Sequence, residues 1–437
     1  MINDPLVFAA TSDLSGKMRG KAFPRSQSQR RKERGVGWVP TNAMITCFDT
    51  IAPGPFGSLD DLVLVPDMET AATVSLGDAT PEEHFVLGDI LTPEGDVWSG
   101  CTRGILKAAL TRFHRLTGLR LKSTFEHEFQ CLTQTPRTGE AFTLQGLSRR
   151  RALGETIVAA MQQAGLKPDT FLKEYGPEQF EVTMAPEIGI TSADHAAILR
   201  ELVYLAARHH GERATFTPIL DPAGVGNGVH VHMSFIDDKG APATFDPDGR
   251  HGLSDTAARF IAGILAHLDS IVAFTAPSAI SCQRLTPHRW SAAFNNLGYR
   301  DREAAVRICP VVGTDPDSIA RQFNFEFRAA DAAASPHLAL AAIVHAGCQG
   351  LEDDLEAPDA PREDLSALSP AELAARGLRA LPGSLGEALD RLEGNETAKA
   401  WFPSGFPEMY LAHKRGELET ADGHAGAELF KAYSRVY

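Results

Sequence analysis

The chain has 437 residues, 43% hydrophobic and 22% charged, which excludes a disordered, collagen-like or membrane-bundle protein and exceeds what one core usually holds. A formal net charge of −14 disfavours nonspecific binding to nucleic acid or anionic lipid and leaves room for cation sites. The 6 cysteines form no CxxC pair and no disulfide framework, a pattern of buried thiols in a reducing compartment.

The N-terminal stretch MINDPLVFAATSD lacks a basic region followed by a long apolar run, and the apolar segment 260–275 is interrupted by His267 and Asp269, so a cytoplasmic location is expected. Residues 1 to about 100 alternate short apolar runs (LVFAATSD, AMITCFD, DLVLVPD) with Gly and Pro turns, as in a small sheet-rich domain. The basic run Arg30-Arg31-Lys32-Glu33-Arg34 reads as a solvated loop. GILKAALTRFHRLTG places Ile105, Leu106, Ala109, Leu110 and Phe113 on one helical face and ends at Gly118. Strand-like runs (LKSTFEHEFQ, QFEVTMAP, ATFTPIL, VHVHMSF, AVRICPVV, FNFEFRA) then interleave with helical patterns at 153–165, 192–210, 253–270 and 335–350. This predicts an α+β domain with a largely antiparallel sheet. The acidic stretch 352–370 reads as an exposed loop before C-terminal helices, and no internal repeat is visible.

Alternate residues of a strand share one face, so X-any-X spacing delivers two side chains to one pocket. Phe125-Glu126-His127-Glu128-Phe129 sets Glu126 beside Glu128, and a face burying two carboxylates needs a compensating cation. His230 and His232, after the Gly224–Gly228 turn, repeat the device, as does Phe325-Glu326-Phe327-Arg328. Glu181 ends a further strand, with Glu174 on the turn before it. The glycine turn lacks the dinucleotide-fingerprint spacing and leads into a strand, not a helix. A lone Glu-x-Glu or His-x-His is more often a solvated or self-satisfied pair. Glutamates and an imidazole recurring together on core strands instead suit Mg²⁺ or Mn²⁺, whereas structural zinc prefers thiolates.

Ordered along the chain stand DLSGKMRGK (13–21), SLDDLVLVPD (58–67), Glu126 and Glu128, Glu174 and Glu181 with EVTMAPE, AARHHGERATFTP, GNGVHVHMS, QRLTP (283–287), DREAAVRI (301–308), FEFRAAD (325–331) and LPGSL (381–385). In this series the chain resembles the glutamine synthetase family over nearly its whole length. The resemblance implies a β-grasp-like N-terminal domain (1–103) and a glutamine-synthetase-like catalytic domain (104–437), whose sheet is flanked by helices. It implies two or more Mg²⁺ or Mn²⁺ ions per site, one held by Glu128, Glu174 and Glu181 and another by Glu126, His230 and Glu326. His232, Ser234, Arg307 and Arg321 would meet the nucleotide. Arg284, Gly226, Arg328 and Trp290 would meet the substrates. Arg302, Arg307 and Arg328 would bind phosphates or substrate carboxylate, which the guanidinium fork suits. Arg302, Arg284 and Asp49, the last presented by a neighbouring subunit, would serve catalysis.

The reaction so implied activates the γ-carboxylate of glutamate with ATP, because a carboxylate is a poor electrophile, and an amine then attacks the acyl phosphate. Ammonia-using members place a glutamate six residues beyond the arginine of RLTP. Here that position is Trp290, a ring suited to an alkyl group or a cation. Relatives that ligate larger amines similarly lack this glutamate, so the expected activity is that of a glutamate–amine ligase. Ammonia ligation, or a noncatalytic sensor or scaffold, are the alternatives. Thr50-Ile51-Ala52 after Asp49, Ile219 and Val225 also depart from the family pattern. Partners are expected to be glutamate, an amine and ATP, without nucleic acid or membrane, in a homo-oligomer for which the family implies a dodecamer.

Overall fold

In the computed structural model, which describes residues 4–77, 80–356 and 358–437, six strands between Leu6 and Leu91 build one mixed sheet. Its strands are β1 (Leu6–Ser12), β2 (Met18–Pro24), β3 (Val36–Trp38), β4 (Leu62–Pro66), β5 (Ala72–Val74) and β6 (Glu83–Leu91). They run in the order β2-β1-β6-β4-β3, with β5 also on β6; β1 and β6 lie parallel at the centre and the other pairs are antiparallel. The β1–β2 turn closes because Asp13 Oδ1 accepts the amide hydrogens of Ser15 (2.9 Å) and Lys17 (2.8 Å). Gly16 there has φ +74°, and a Cβ on it would fall 2.7 Å from the Ala334 carbonyl oxygen, so only glycine lets this turn seat on the larger unit.

Two local expectations are corrected. The basic run is solvated but helical (Ser28–Arg34), since its residues are good helix formers and Gly35 (φ +63°) ends it. AMITCFD forms no strand; Ile45 makes a single bridge to Ile51.

The second sheet contains β7 (Arg120–Cys131), β8 (Pro168–Lys173), β9 (Gln179–Met184), β10 (Glu187–Ile188), β11 (Ala214–Thr215), β12 (Val229–Ile236), β13 (Leu297–Tyr299), β14 (Val306–Ile308) and β15 (Phe325–Phe327). Its order is β13-β14-β15-β12-β7-β9-β8, with β10 and β11 against β7, and only β13–β14 is parallel. ATFTPIL yields only the two-residue β11. One face carries Phe125, Phe129, Phe180, Val231, Phe325 and Phe327, all buried. Behind the sheet lie helices 102–117, 255–266 and 336–352, with Phe113 4.8 Å from Phe235 and Phe260 6.1 Å from Phe325. The helix expected over 253–270 is two helices, Asp255–Ala266 and Leu268–Thr275, meeting at 81° around His267. No single helix is long and apolar enough to cross a membrane among the described residues. The acidic stretch is largely exposed up to a short helix at Pro370–Ala375; its residue 357, like residues 1–3 of the N-terminal stretch, lies outside the described residues.

Arg103 joins the two units. Fully buried, it reaches Asp89 on β6 (2.8 Å), Asp67 after β4 (3.0 Å) and Asp194 in helix 191–209 (2.9 Å), while His337 in helix 336–352 lies 2.8 Å from Asp194. Burial acts to raise the Asp194 pKa, yet hydrogen bonds from His337 and Arg103 outweigh it and hold the group well below the usual carboxylate range. A depressed folded value means stability present above the unfolded pKa of ~4 and lost progressively as pH falls from there through the folded value. Arg103→Met, which strands these carboxylates, should cost about 3–5 kcal/mol and lower the thermal midpoint. Asp194→Asn should flatten the acid-side fall of that midpoint relative to wild type.

Candidate active site

Cross-strand neighbours point to the same side of a sheet. The register sets Arg307 opposite Glu326, Glu326 opposite His232, His230 opposite Glu126 and Glu128 opposite Glu181. Five adjacent strands, β14, β15, β12, β7 and β9, therefore lay one charged stripe across the face opposite the phenylalanines. The strand periodicity read from the sequence is what puts these groups on the face away from the aromatic core.

Donor atoms of Glu126, Glu181 and His230 lie within 4.8 Å of one another, and so do those of His232, Cys309 and Glu326. This grouping differs from the two sets that the family resemblance implies. Glu181 is drawn to Glu126 and His230, whereas Glu326 is surrounded by His232 Nε2 (2.8 Å), Arg307 Nη1 (2.9 Å) and Arg328 Nη1 (2.6 Å). His232 Nε2 also stands 3.1 Å from Glu126. Glu128 Oε2 accepts the Gly228 amide hydrogen (2.7 Å), and Glu174 Oε2 accepts that of Tyr175 (2.8 Å).

The charge is unevenly answered. Burial, followed by Glu126, Glu128 and Glu174, pushes Glu181 up to about 9. Burial pushes Glu128 up to about 7, with the Gly228 amide opposing and Glu174 adding to the rise. Against its own burial, Glu326 is held low by the hydrogen bond from His232 and the charge of Arg328. Glu126 is likewise held low by His232 and His230 despite burial. His230 itself drops to about 4, through burial and then Arg328, so it presents a neutral, ligating nitrogen. Carboxylate oxygens with one neutral imidazole, crowded at Glu181 and at Glu128, where the charges of Arg284 and Arg328 oppose the rise without overcoming it, fit a hard divalent metal ion.

Around this stripe, the Arg284 guanidinium is buried, donating from Nη2 to the Ala330 carbonyl (2.6 Å) and from Nη1 to Ser291 Oγ (3.1 Å), and its Nε has no protein partner. It fits under the glycine turn because a Cβ at Gly226 would fall 2.3 Å from its side chain. Arg328 Nε donates to the Arg302 carbonyl (3.0 Å) and Nη2 to the Trp290 carbonyl (3.0 Å). Ser234 is half-buried, two residues along β12 from His232, and the Arg302 and Arg321 side chains are exposed. Trp290 is 62% exposed, with its ring 6.4 Å from that of Tyr175. Asp49 lies apart: its partner is Arg19 (3.0 Å), and no cluster residue touches it within the chain.

Sequence reasoning missed several neighbours. Cys309 stands two residues after Arg307, and Asn324, 2.9 Å from His232 Nδ1, two before Glu326; the same alternation rule would have found both. Tyr175 and Glu303 carried no such signal, because turns bring them to the Trp290 segment.

The family model described as the glutamine synthetase catalytic domain matches residues 99–433, and that for the glutamine synthetase N-terminal domain matches residues 4–98. The chain is 31% identical over 442 aligned residues to gamma-glutamylpolyamine synthetase GlnA3 of Streptomyces coelicolor, covering 99% of this chain and 93% of the relative. It is 30% identical to a glutamine synthetase of Thermococcus kodakarensis, covering 94% and 88%. Among solved structures, one described as a novel glutamine synthase homolog superposes with TM-score 0.91 at 38% identity, covering 100% of this chain and 99% of the other. A GmaS/ADP complex superposes with TM-score 0.82 at 25% identity, covering 96% and 94%. With this sheet, this stripe and these matches over nearly its full length, the chain belongs to the glutamine synthetase family.

Proposed function

We propose that this ligase of the glutamine synthetase family uses ATP to activate the γ-carboxylate of glutamate and joins it to an organic amine. A carboxylate oxygen of glutamate attacks the γ-phosphorus, ADP leaves, and the acyl phosphate forms. The amine nitrogen then attacks the carbonyl carbon, phosphate leaves, and the amine's proton passes to a base. Glu126, Glu128, Glu174, Glu181, His230 and Glu326 would hold the divalent cations, which neutralise phosphate charge when bound. His232, Ser234, Arg307 and Arg321 are assigned to the nucleotide. Arg284 and Arg328, beside Gly226, are assigned to the glutamate carboxylates and Arg302 to the transferring phosphate, where bidentate donors act best.

Asp49 is proposed as the base. Its carboxylate is exposed and is oriented by Arg19, itself anchored on Asp13 at 2.6 Å, so it is free to face another copy of the chain. The reading therefore includes a homo-oligomer with sites between subunits, a dodecamer by family analogy.

The observation that carries the amine assignment is Trp290. Identities of 31% to a polyamine-ligating relative and 30% to a glutamine synthetase do not separate the two acceptors. An exposed indole facing Tyr175, where ammonia-using members have a carboxylate, favours an acceptor with an alkyl or second cationic group.

With glutamate, ATP and Mg²⁺, phosphate release should be faster with some alkylamine, polyamine or amino alcohol than with ammonium; an amine panel led by ammonium rejects this reading. Trp290→Glu should shift selectivity toward ammonium by at least about tenfold, roughly 1.4 kcal/mol in relative barrier. For the cluster, chelation should abolish turnover reversibly. Glu126→Gln should lower kcat/KM by at least about 100-fold, because residues that merely orient a metal ligand already cost roughly 10- to 100-fold.

A further inference from the structure

The segment 288–291 is tied down more heavily than an exposed turn requires. His288 (φ 63°) and Trp290 (φ 51°) both adopt the left-handed conformation. Bulky residues persist there only where the surroundings over-determine the backbone. The restraint on their amides comes from Glu303. One of its oxygens accepts the Trp290 amide hydrogen and the other accepts that of His288, each at 3.2 Å. These are the only protein acceptors for those two amides among the described residues. The Glu303 amide in turn donates to Asp301 Oδ1 at 2.9 Å, which fixes the turn carrying the carboxylate. A carboxylate bridging amides two residues apart occupies the place that an anion takes in a backbone concavity.

The rest of the segment is held from the other side. Arg289 donates to the carbonyls of Pro222 (2.6 Å) and Gly224 (2.8 Å), Arg328 to that of Trp290 (3.0 Å), and Arg284 to Ser291 Oγ (3.1 Å). What stays unconfined is the indole ring, 62% exposed, opposite Tyr175, which is 63% exposed. A fixed backbone presenting a free aromatic face is a preorganised wall, which lowers the ordering cost when a ligand docks.

We propose that Glu303 is a positioning residue for amine selection: by accepting the amide hydrogens of His288 and Trp290, it sets the turn that holds the Trp290 ring at the amine entrance opposite Tyr175. This rests on the reading that Trp290 meets the amine. Glu303 itself touches no reactant and acts through the backbone of segment 288–291.

The test compares wild type with Glu303→Ala and Glu303→Gln. Each is assayed for KM of the best amine, of glutamate and of ATP by phosphate release, and for the rate of tryptic cleavage after Arg289. Glu303→Ala should raise the amine KM at least about tenfold, as misplaced positioning groups do, while the glutamate and ATP values stay within about twofold. Cleavage after Arg289 should accelerate. Glu303→Gln keeps one acceptor oxygen and should fall between. An amine KM unchanged in both variants, or an equal rise for all three substrates, overturns the assignment while leaving the ligase reading intact. If ammonium leads the wild-type panel, the organic-amine reading fails, and the clamp is still judged by the ammonium KM and the cleavage rate. No turnover with any amine overturns both.

Discussion

Glu128 and Glu181 face each other on a sheet face whose reverse side is sealed by phenylalanines, with Glu126 on the same face and Glu174 on the turn after β8, and the burial of these carboxylates beside one another is the constraint on which the site depends. Gathering like charges in a partly desolvated place is costly unless a cation answers them. The chain answers only half. At Glu326 it supplies Arg307, Arg328 and His232 within 2.9 Å, so that carboxylate stays ionised. At Glu181 no arginine or lysine forms an ion pair among the described residues, and the group is pushed up to about 9. The stripe is thus supplied with cationic donors at one end and short of positive charge at the other, with donors able to meet an anion beside carboxylates whose chemistry fits a divalent ion.

The sheet makes this crowding tolerable because register leaves no alternative. A one-residue slip of β7 against β12 would send Phe125 and Phe129 to the charged side and Glu126 and Glu128 into the core. Phe125, Phe129, Phe325 and Phe327 are at most 1% exposed, so their burial on one face is what enforces the charges on the other. Helix 336–352, buried almost throughout, backs this sheet and also carries His337, which meets Asp194 at the junction with the small sheet. The packing that fixes the stripe is therefore continuous with the packing that fixes the N-terminal unit, where Asp49 is displayed.

How much of this was legible in the sequence follows from range. The alternation in FEHEF, VHVHMS and FEFRA identified β7, β12 and β15 and the side chains they share, because period two is a local property. The order of strands and the pairing of charges across them are not local. Glu326 and His230 belong to neighbouring strands, yet it is His232, two residues on, that lies opposite Glu326. That regrouping depends on antiparallel register, which no single strand encodes. Helix 253–270 was legible as apolar periodicity, while its 81° break at His267 depends on packing. The turns were the least legible: Glu303 reaches His288 and Trp290 through loops whose left-handed residues are neither glycine nor asparagine.

Arg328 ties the charged stripe to the turn that carries Trp290. Its guanidinium touches Glu326, the Arg302 carbonyl and the Trp290 carbonyl at once, so it is the physical link between the stripe and segment 288–291. Changing it would disturb both halves. Glu303 and Trp290 lie on the far side of that link from Glu326, where the backbone is held by hydrogen bonds and the ring is left to solvent. Altering the ring leaves every donor that faces Glu326 in place. The side chain at position 290 can accordingly vary without disturbing the charged stripe, provided the backbone of 288–291 is pinned by groups other than the side chain that varies.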